Sequence, residues 1–364
     1  MSRAYSDPLP SHVPAQRPLM LYNPPPPVQR HRGVTGLRLG LYTALAGALV
    51  TGSFVIQLPL LTFHPGPTPD VAKVIVVEGP TYPSAGSMHM TTIQARPATL
   101  VRALLGWIDR DVAVVPREAV YEPGKSVEEI VQENASQMDQ SGLFAAISAY
   151  RVLDLLGPAE GALVVATLED TPAAEVLQAG DVIVRVDGQP VTTHDELKAI
   201  TSSRRVGDQL RVAFRRGGEE REAPISLVRD PIIREGERKG PVMGVSVITS
   251  FKMPYEVKLD PQNIGGPSAG LMFSLSIVDR LNAEDLTHGY VIAGTGTIDA
   301  EGNVGAVGGV AQKVEAAERI NARYFLAPKQ ANEAAQARAF VDTDMAVIEV
   351  GTLEDAVSAL ATVE

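Results

Sequence analysis

Gly265-Gly266-Pro267-Ser268-Ala269-Gly270 opens an apolar stretch, and Gly308-Gly309-Val310-Ala311-Gln312-Lys313 follows, with the lysine forty-five positions after the serine. Pro267 suits the first turn of a helix, where its missing N–H costs nothing. Leu271, Met272, Leu275, Val278 and Leu281 then recur at helical spacing and predict one buried face. Ser268 is thereby placed at a helix start, where unpaired N–H groups and the helix dipole favour the negative charge of an oxyanion. Gly265, Gly266 and Gly270 allow a substrate backbone to come close. On these residues alone Ser268 can equally be a capping serine without chemistry.

A serine nucleophile needs a base. Gly266-x-Ser268-x-Gly270 also spells the nucleophile elbow of α/β-hydrolases, but that order requires a histidine well downstream. His288 is the one histidine beyond Ser268, too close in the chain for the intervening fold. Lys313 is the better candidate. On a helix from Gly309 its neighbours at i−3, i+4 and i+7 are Val310, Ala317 and Ile320, while Glu315, Glu318 and Arg319 take the other side. A lysine against an apolar stripe loses water, which lowers its pKa and lets it serve as a base. The alternative is a lysine that snorkels to the surface.

The chain has 364 residues, a formal net charge of −11 and no cysteine, which excludes disulfides and thiol catalysis. Its acidic body is a poor partner for nucleic acid. Five arginines against one aspartate make residues 1–40 basic, and no charge occurs from Leu39 to Phe63. About 20 apolar residues suffice to cross a bilayer. Arginines flank only the N-terminal side, so the positive-inside rule puts the tail in the cytoplasm and the rest outside. A cleaved signal peptide or a buried core helix remain the alternatives; Gln57-Leu58-Pro59-Leu60-Leu61 lacks a small-residue cleavage site and favours an uncleaved anchor.

The boundaries expected are a proline-rich disordered tail (1–36), a transmembrane anchor (37–62), a first globular part (70–155), a β-rich module (156–232) and a chemistry-bearing α/β domain (238–364). Val71–Val77 and Ser87–Ile93 read as strands and Leu100–Ile108 as a helix. A second helix starts at Ser126, with Glu129 completing a capping box. Between 160 and 230, short β-rich runs alternate with turns around one helix, Thr193–Thr201.

Gly161-Ala-Leu-Val-Val, Thr171-Pro-Ala-Ala and Leu177-Gln-Ala-Gly-Asp-Val-Ile-Val-Arg-Val-Asp-Gly-Gln-Pro-Val191 resemble a PDZ domain. The resemblance implies binding of extended peptides by strand addition, with Gly161, Ala162 and Leu163 as the carboxylate-binding loop. Ile264-Gly-Gly-Pro-Ser-Ala-Gly-Leu-Met-Phe273 and the run Gly294-Thr-Gly-Thr-Ile-Asp through Gln312-Lys313 resemble the proteolytic domain of Lon-type proteases. That likeness implies Ser268 as nucleophile, Lys313 as general base and Thr295 as the residue holding the lysine. Gly265, Gly266, Pro267 and Ala269 would form the oxyanion and substrate loop. Asn263-Ile264 departs from the aspartate–glycine many Lon enzymes have before the serine loop.

No ATPase module accompanies these motifs. Gly124-Lys125-Ser126 comes nearest to a phosphate loop, but Ala119 stands where its first glycine is needed. An anchor, a PDZ module and a Lon-like domain without ATPase resemble the membrane-anchored PDZ-containing Lon-like proteases of Gram-positive and related bacteria. The resemblance implies an ATP-independent serine endopeptidase at the outer face of a bacterial membrane, using neither cofactor nor metal. Its fold is an α/β (α+β) proteolytic domain with the PDZ module inserted, and it has protein substrates and a possible homo-oligomeric state. The rivals are a catalytically silent PDZ scaffold and an amidase or esterase that uses the same pair on small acyl groups.

Overall fold

The computed structural model describes residues 32–121, 124–230, 240–260 and 265–363, without the side chains of 32–37 and Val127. The expected tail therefore lies outside the described residues except for 32–36, which open a helix; Asn263 and Ile264 lie outside them as well. The chain divides at Ser53. Helix α1 (Arg32–Val55) contains a window, Arg38–Val55, long and apolar enough to cross a membrane, with mean hydropathy 1.3 and its side chains exposed.

The helix stops at Val55, short of the expected 62. Pro59 explains it: in a helix its ring would clash with the carbonyl of residue 55, and it biases Leu58 toward extended backbone. Gln57–Pro65 instead forms strand β1. The next elements are β2 (Ile75–Val77), β3 (Ser87–Met90), β4 (Ile93–Thr99), helix α2 (Leu100–Ile108), β5 (Ala113–Pro116) and the long helix α3 (Val127–Val152). Strand β2 is shorter than the Val71–Val77 run suggested. The Asp70 carboxylate accepts the Ala72 N–H at 3.0 Å, which winds Val71–Lys73 into a 3-10 turn. Ser126 and Glu129 cap α3 reciprocally, as the capping box required.

The inserted module comprises β6 (Ala159–Thr167), β7 (Val182–Val186), α4 (His194–Ser202), β8 (Gln209–Arg216) and β9 (Glu219–Ser226). It has its own core, centred on Val164, Ile183, Val186, Leu197, Leu210, Val212, Phe214 and Ile225. Strand β10 (Val245–Phe251) leaves the module and β11 (Val257–Leu259) follows. Beyond them lie α5 (Gly270–Leu281), β12 (Val291–Gly294), α6 (Val310–Glu318), β13 (Tyr324–Pro328), α7 (Glu333–Phe340), β14 (Ala346–Val350) and α8 (Leu353–Leu360).

Strands β14, β13, β12 and β3 make a parallel sheet in that order, with α6 and α7 as the crossovers between its later strands. Strand β3 joins it from the far side of the insertion, with Met88 opposite Ile292. The main core likewise mixes Val71, Ile75, Met90, Met138 and Tyr150 with Leu271, Phe273, Leu326 and Leu353. Residues before and after the module thus bury one another and form one body. Helix α5 lies at its centre. Leu271, Met272, Phe273, Leu275, Ile277 and Val278 are all buried, so both of its faces are covered rather than the one that the spacing predicts.

Candidate active site

Ser268 sits in a single 3-10 turn, Pro267–Ala269, that runs directly into α5. Gly266 enters the turn at φ 95°, a conformation that strains any residue with a Cβ. Hydrogen bonds pin the turn on both sides. Gly266 N–H donates to the Asn134 carbonyl at 3.0 Å, and the Ser141 hydroxyl donates to the Pro267 carbonyl at 3.2 Å. Gly296 N–H donates to the Ser268 carbonyl at 2.9 Å, while Leu271 N–H donates to the Gly296 carbonyl at 3.1 Å.

Lys313 lies one turn into α6, whose cap, Gly309, is left-handed at φ 71°. The lysine is 2 % exposed, flanked on its helix by buried Val310, Val314 and Ala317. Its Nζ donates to the Thr295 hydroxyl at 2.8 Å. That hydroxyl, fully buried, donates in turn to the Ser268 carbonyl at 3.1 Å. Burial pulls the Lys313 pKa from its usual 10.5 down to about 8, against an upward pull from the Glu333 carboxylate. Such an amine is neutral in an appreciable fraction near neutral pH and can accept a proton. Among the described residues no hydrogen bond joins the Ser268 hydroxyl to Lys313; Thr295 links the serine backbone to the amine.

Glu333 is a group that no motif or spacing singles out. It starts α7, is 3 % exposed, and accepts the Val307 N–H at 2.8 Å through Oε1. Its Oε2 is buried with no partner. Desolvation raises its pKa, opposed by the Val307 bond and by Lys313. Val307 stands two residues before the cap of α6, so the carboxylate fixes the approach to the lysine's helix. Only the packing of α7 brings it there.

A cleft of about 280 Å³ opens beside the serine, lined by Thr91, Ile93, Met138, Gly265, Gly266 and Ser268 among others. A second, of about 410 Å³, shares Ile93 and Gly265 and extends past Ala95, Ile130, Asn134 and Gln137. Strand β4, which supplies Ile93 and Ala95, is an edge strand in the order β4-β1-β5. Away from the serine, His89 is bonded to the Thr68 carbonyl and Ser87 hydroxyl, and His194 to the Thr249 hydroxyl.

Gly161, Ala162 and Leu163 do not form the free loop expected of them. They lie inside β6, with Ala162 and Leu163 paired to Ile183 and Val182 on one edge. On the other edge Gly161, Ala162 and Leu163 pair with Ser250, Thr249 and Ile248 of β10. A Cβ at Gly161 would come within 2.6 Å of the Ile183 carbonyl oxygen, so only glycine allows the strands this close.

Residues 132–227 match the PDZ domain family model, and residues 261–362 match that of the Lon protease (S16) C-terminal proteolytic domain. The PDZ match begins within α3, whose Met138 and Ala145 belong to the main core; the module's own core starts at Ala162. Among solved structures the chain is similar to the PDZ domain of an SdrC-like protein from Listeria innocua. The two are 32% identical over 24% of this chain and 92% of that one, with a TM-score of 0.22. The corresponding Listeria monocytogenes domain is 29% identical over 24% and 87%, with a TM-score of 0.21. No curated protein matches the chain.

Proposed function

We propose, from the premise that this chain is a PDZ-containing Lon-like serine peptidase, that it is an ATP-independent endopeptidase held at a membrane by α1. Ser268 attacks a peptide carbonyl while Lys313, neutral, takes its proton. The acyl-enzyme that results is hydrolysed by water. Thr295 holds the amine and the serine's backbone in one arrangement. The loop of Gly265, Gly266, Pro267 and Ala269 borders the developing oxyanion, with Pro267 lacking an N–H and that of Gly266 committed to the Asn134 carbonyl. The observation that carries this reading is the Lys313 amine, buried and tuned to about 8, bonded to the same threonine that grips Ser268.

The paired clefts favour an extended polypeptide over a small acyl group, because they prolong the space beside Ser268 along edge strand β4. With no ATP-driven unfolding, substrates are unstructured segments. The test is cleavage of unfolded casein by the full chain in detergent, beside Ser268→Ala and Lys313→Ala chains. The intact chain is expected to cleave, and both variants are expected to fall to background. Cleavage that survives both substitutions removes the dyad. Turnover of small esters without casein cleavage favours the amidase or esterase, and inactivity of every chain on both substrates favours the scaffold.

A further inference from the structure

Helix α2 buries its smallest residues and exposes its largest apolar ones. At 3.6 residues per turn Leu100, Leu104, Trp107 and Ile108 share one face, with Leu105 at its flank. That face points outward, its five side chains between 47 % and 84 % exposed. The residues turned inward are Ala103 and Gly106. A Cβ on Gly106 would come within 2.8 Å of Val114 Cγ2 and 3.0 Å of Val112 Cγ1. Glycine therefore lets the helix lie flat on residues 112–114, with its large side chains on the outside. The helix contains no acidic residue, and a contiguous apolar surface of this kind marks a contact site.

Chain connectivity favours lipid as what covers it. Thr99, the cap of α2, pairs with Gln57 of β1, and Gln57 stands two residues past Val55, where the apolar window of α1 ends. Two residues of extended chain reach at most about 7 Å, and paired strands lie about 5 Å apart. A bilayer crossed by α1 therefore ends close to the cap of α2. Trp107 suits that level, since indole rings collect at membrane–water interfaces. A second copy of the chain fits less well. A nine-residue helix is about 14 Å long, small beside the roughly 800 Å² per partner of a stable protein interface.

We propose that the outward face of α2 is a membrane-docking surface. The helix lies in the plane of the bilayer interface, with Leu100, Leu104, Leu105, Trp107 and Ile108 against the acyl chains. The inference rests on the reading of α1 as a membrane anchor and goes beyond it, because it gives the catalytic body its own contact with lipid. Docking also sets where substrate is met. Strand β4 runs from Ile93, in the cleft beside Ser268, to Thr99 at the cap of α2. The two ends are at most about 20 Å apart along the strand. The docked helix therefore keeps the cleft near the membrane surface, in reach of extended segments that emerge from the same bilayer.

Trp107 is the chain's single tryptophan, so its fluorescence reports on α2 alone. The full chain is reconstituted into vesicles of equal parts phosphatidylcholine and phosphatidylglycerol, and its recovery with floated vesicles is scored separately. Emission is expected to be blue-shifted from that of an exposed indole, and phosphatidylcholine with brominated acyl chains is expected to quench most of it. A chain carrying Leu104→Glu and Ile108→Glu, both at exposed positions, should still float through α1 and cleave casein in detergent at the parental rate. Its emission should be red-shifted and no longer quenched by bromination. A parental chain that floats with red-shifted, unquenched emission overturns the docking and leaves the anchor standing, and quenching that survives the double substitution overturns it too. A chain that does not float overturns the anchor, and the docking with it. Blue-shifted emission that bromination leaves untouched, and that reddens as the chain is diluted in lipid, assigns the face to a second copy and overturns the proposal.

Discussion

Lys313 carries a cost at neutral pH that follows from its burial. Its native pKa of about 8 lies below the 10.5 of an exposed lysine. Below pH 8 both folded and unfolded chains hold the proton, but the folded one holds it in a dry site. Between about 8 and 10.5 the unfolded chain binds more protons, so stability contributed by this residue rises with pH across that window. A shift of this size is worth about 3 kcal/mol. Lys313→Met, which keeps the apolar volume, is therefore expected to abolish cleavage while raising the melting temperature at pH 7, with the gain fading toward pH 10.5. An unchanged or lowered melting temperature at pH 7 argues against a desolvated lysine. Glu333 offers the complementary trial. Its carboxylate stabilises the ammonium and holds the lysine pKa up, so Glu333→Gln, which keeps an acceptor for Val307 N–H, should let the pKa fall further. The rising limb of the pH–activity profile then moves to lower pH, as initial rates from pH 6 to 10 would record. The apolar stripe around Lys313 could be read from residue spacing. Glu333 could not, because its partner stands twenty residues away and only the packing of α7 on α6 joins them.

Among the elements, those whose signals are local came through: the capping box of α3 and the helix of the inserted module. Strand β1 was hidden because Gln57–Phe63 continues an uncharged, apolar run, and period alone cannot tell its end from membrane helix. The structure assigns it to the sheet, where the pairing with β4 shifts register between Gln57 and Leu61, around Pro59. The partner of strand β10 is not local, since pairing with β6 closes a loop of some eighty residues. The cap of α6 shows how tightly such elements set the site. Gly309 is left-handed, and a Cβ there would come within 2.8 Å of Ile93 Cγ2, a wall of the cleft. Gly309→Ala should cost about 1–3 kcal/mol in denaturant unfolding from backbone strain. It should also slow casein cleavage, because relief of the contact displaces Ile93 or the helix bearing Lys313. Wild-type stability in that variant means the cap is not strained.

For the molecule as a whole, the question is where the catalytic body begins. The sequence places a stiff linker after an anchor and starts the first globular part at 70, since His64-Pro-Gly-Pro-Thr-Pro69 carries no periodic pattern. The fold puts the beginning earlier. Strand β1 is the middle strand of β4-β1-β5, with Leu61 buried and Phe63 paired to both Ala95 and Ala113. Without it, β4 loses its one ladder partner among the described residues and the cleft loses the support of Ile93 and Ala95. These strands lie far from Ser268 in the chain yet line its approach, so the catalytic body needs residues that look like tether. A chain shortened to begin at Gln57, without α1, is therefore expected to cleave casein at close to the full-length rate. One beginning at Asp70 keeps every residue of the Lon-type motif and should lose most of its activity. Its amides in β4 and β5 should exchange rapidly while those of α5 remain protected. Equal activity of the two shortened chains would show that β1 is only a tether, and full activity confined to the intact chain would make α1 part of the catalytic unit.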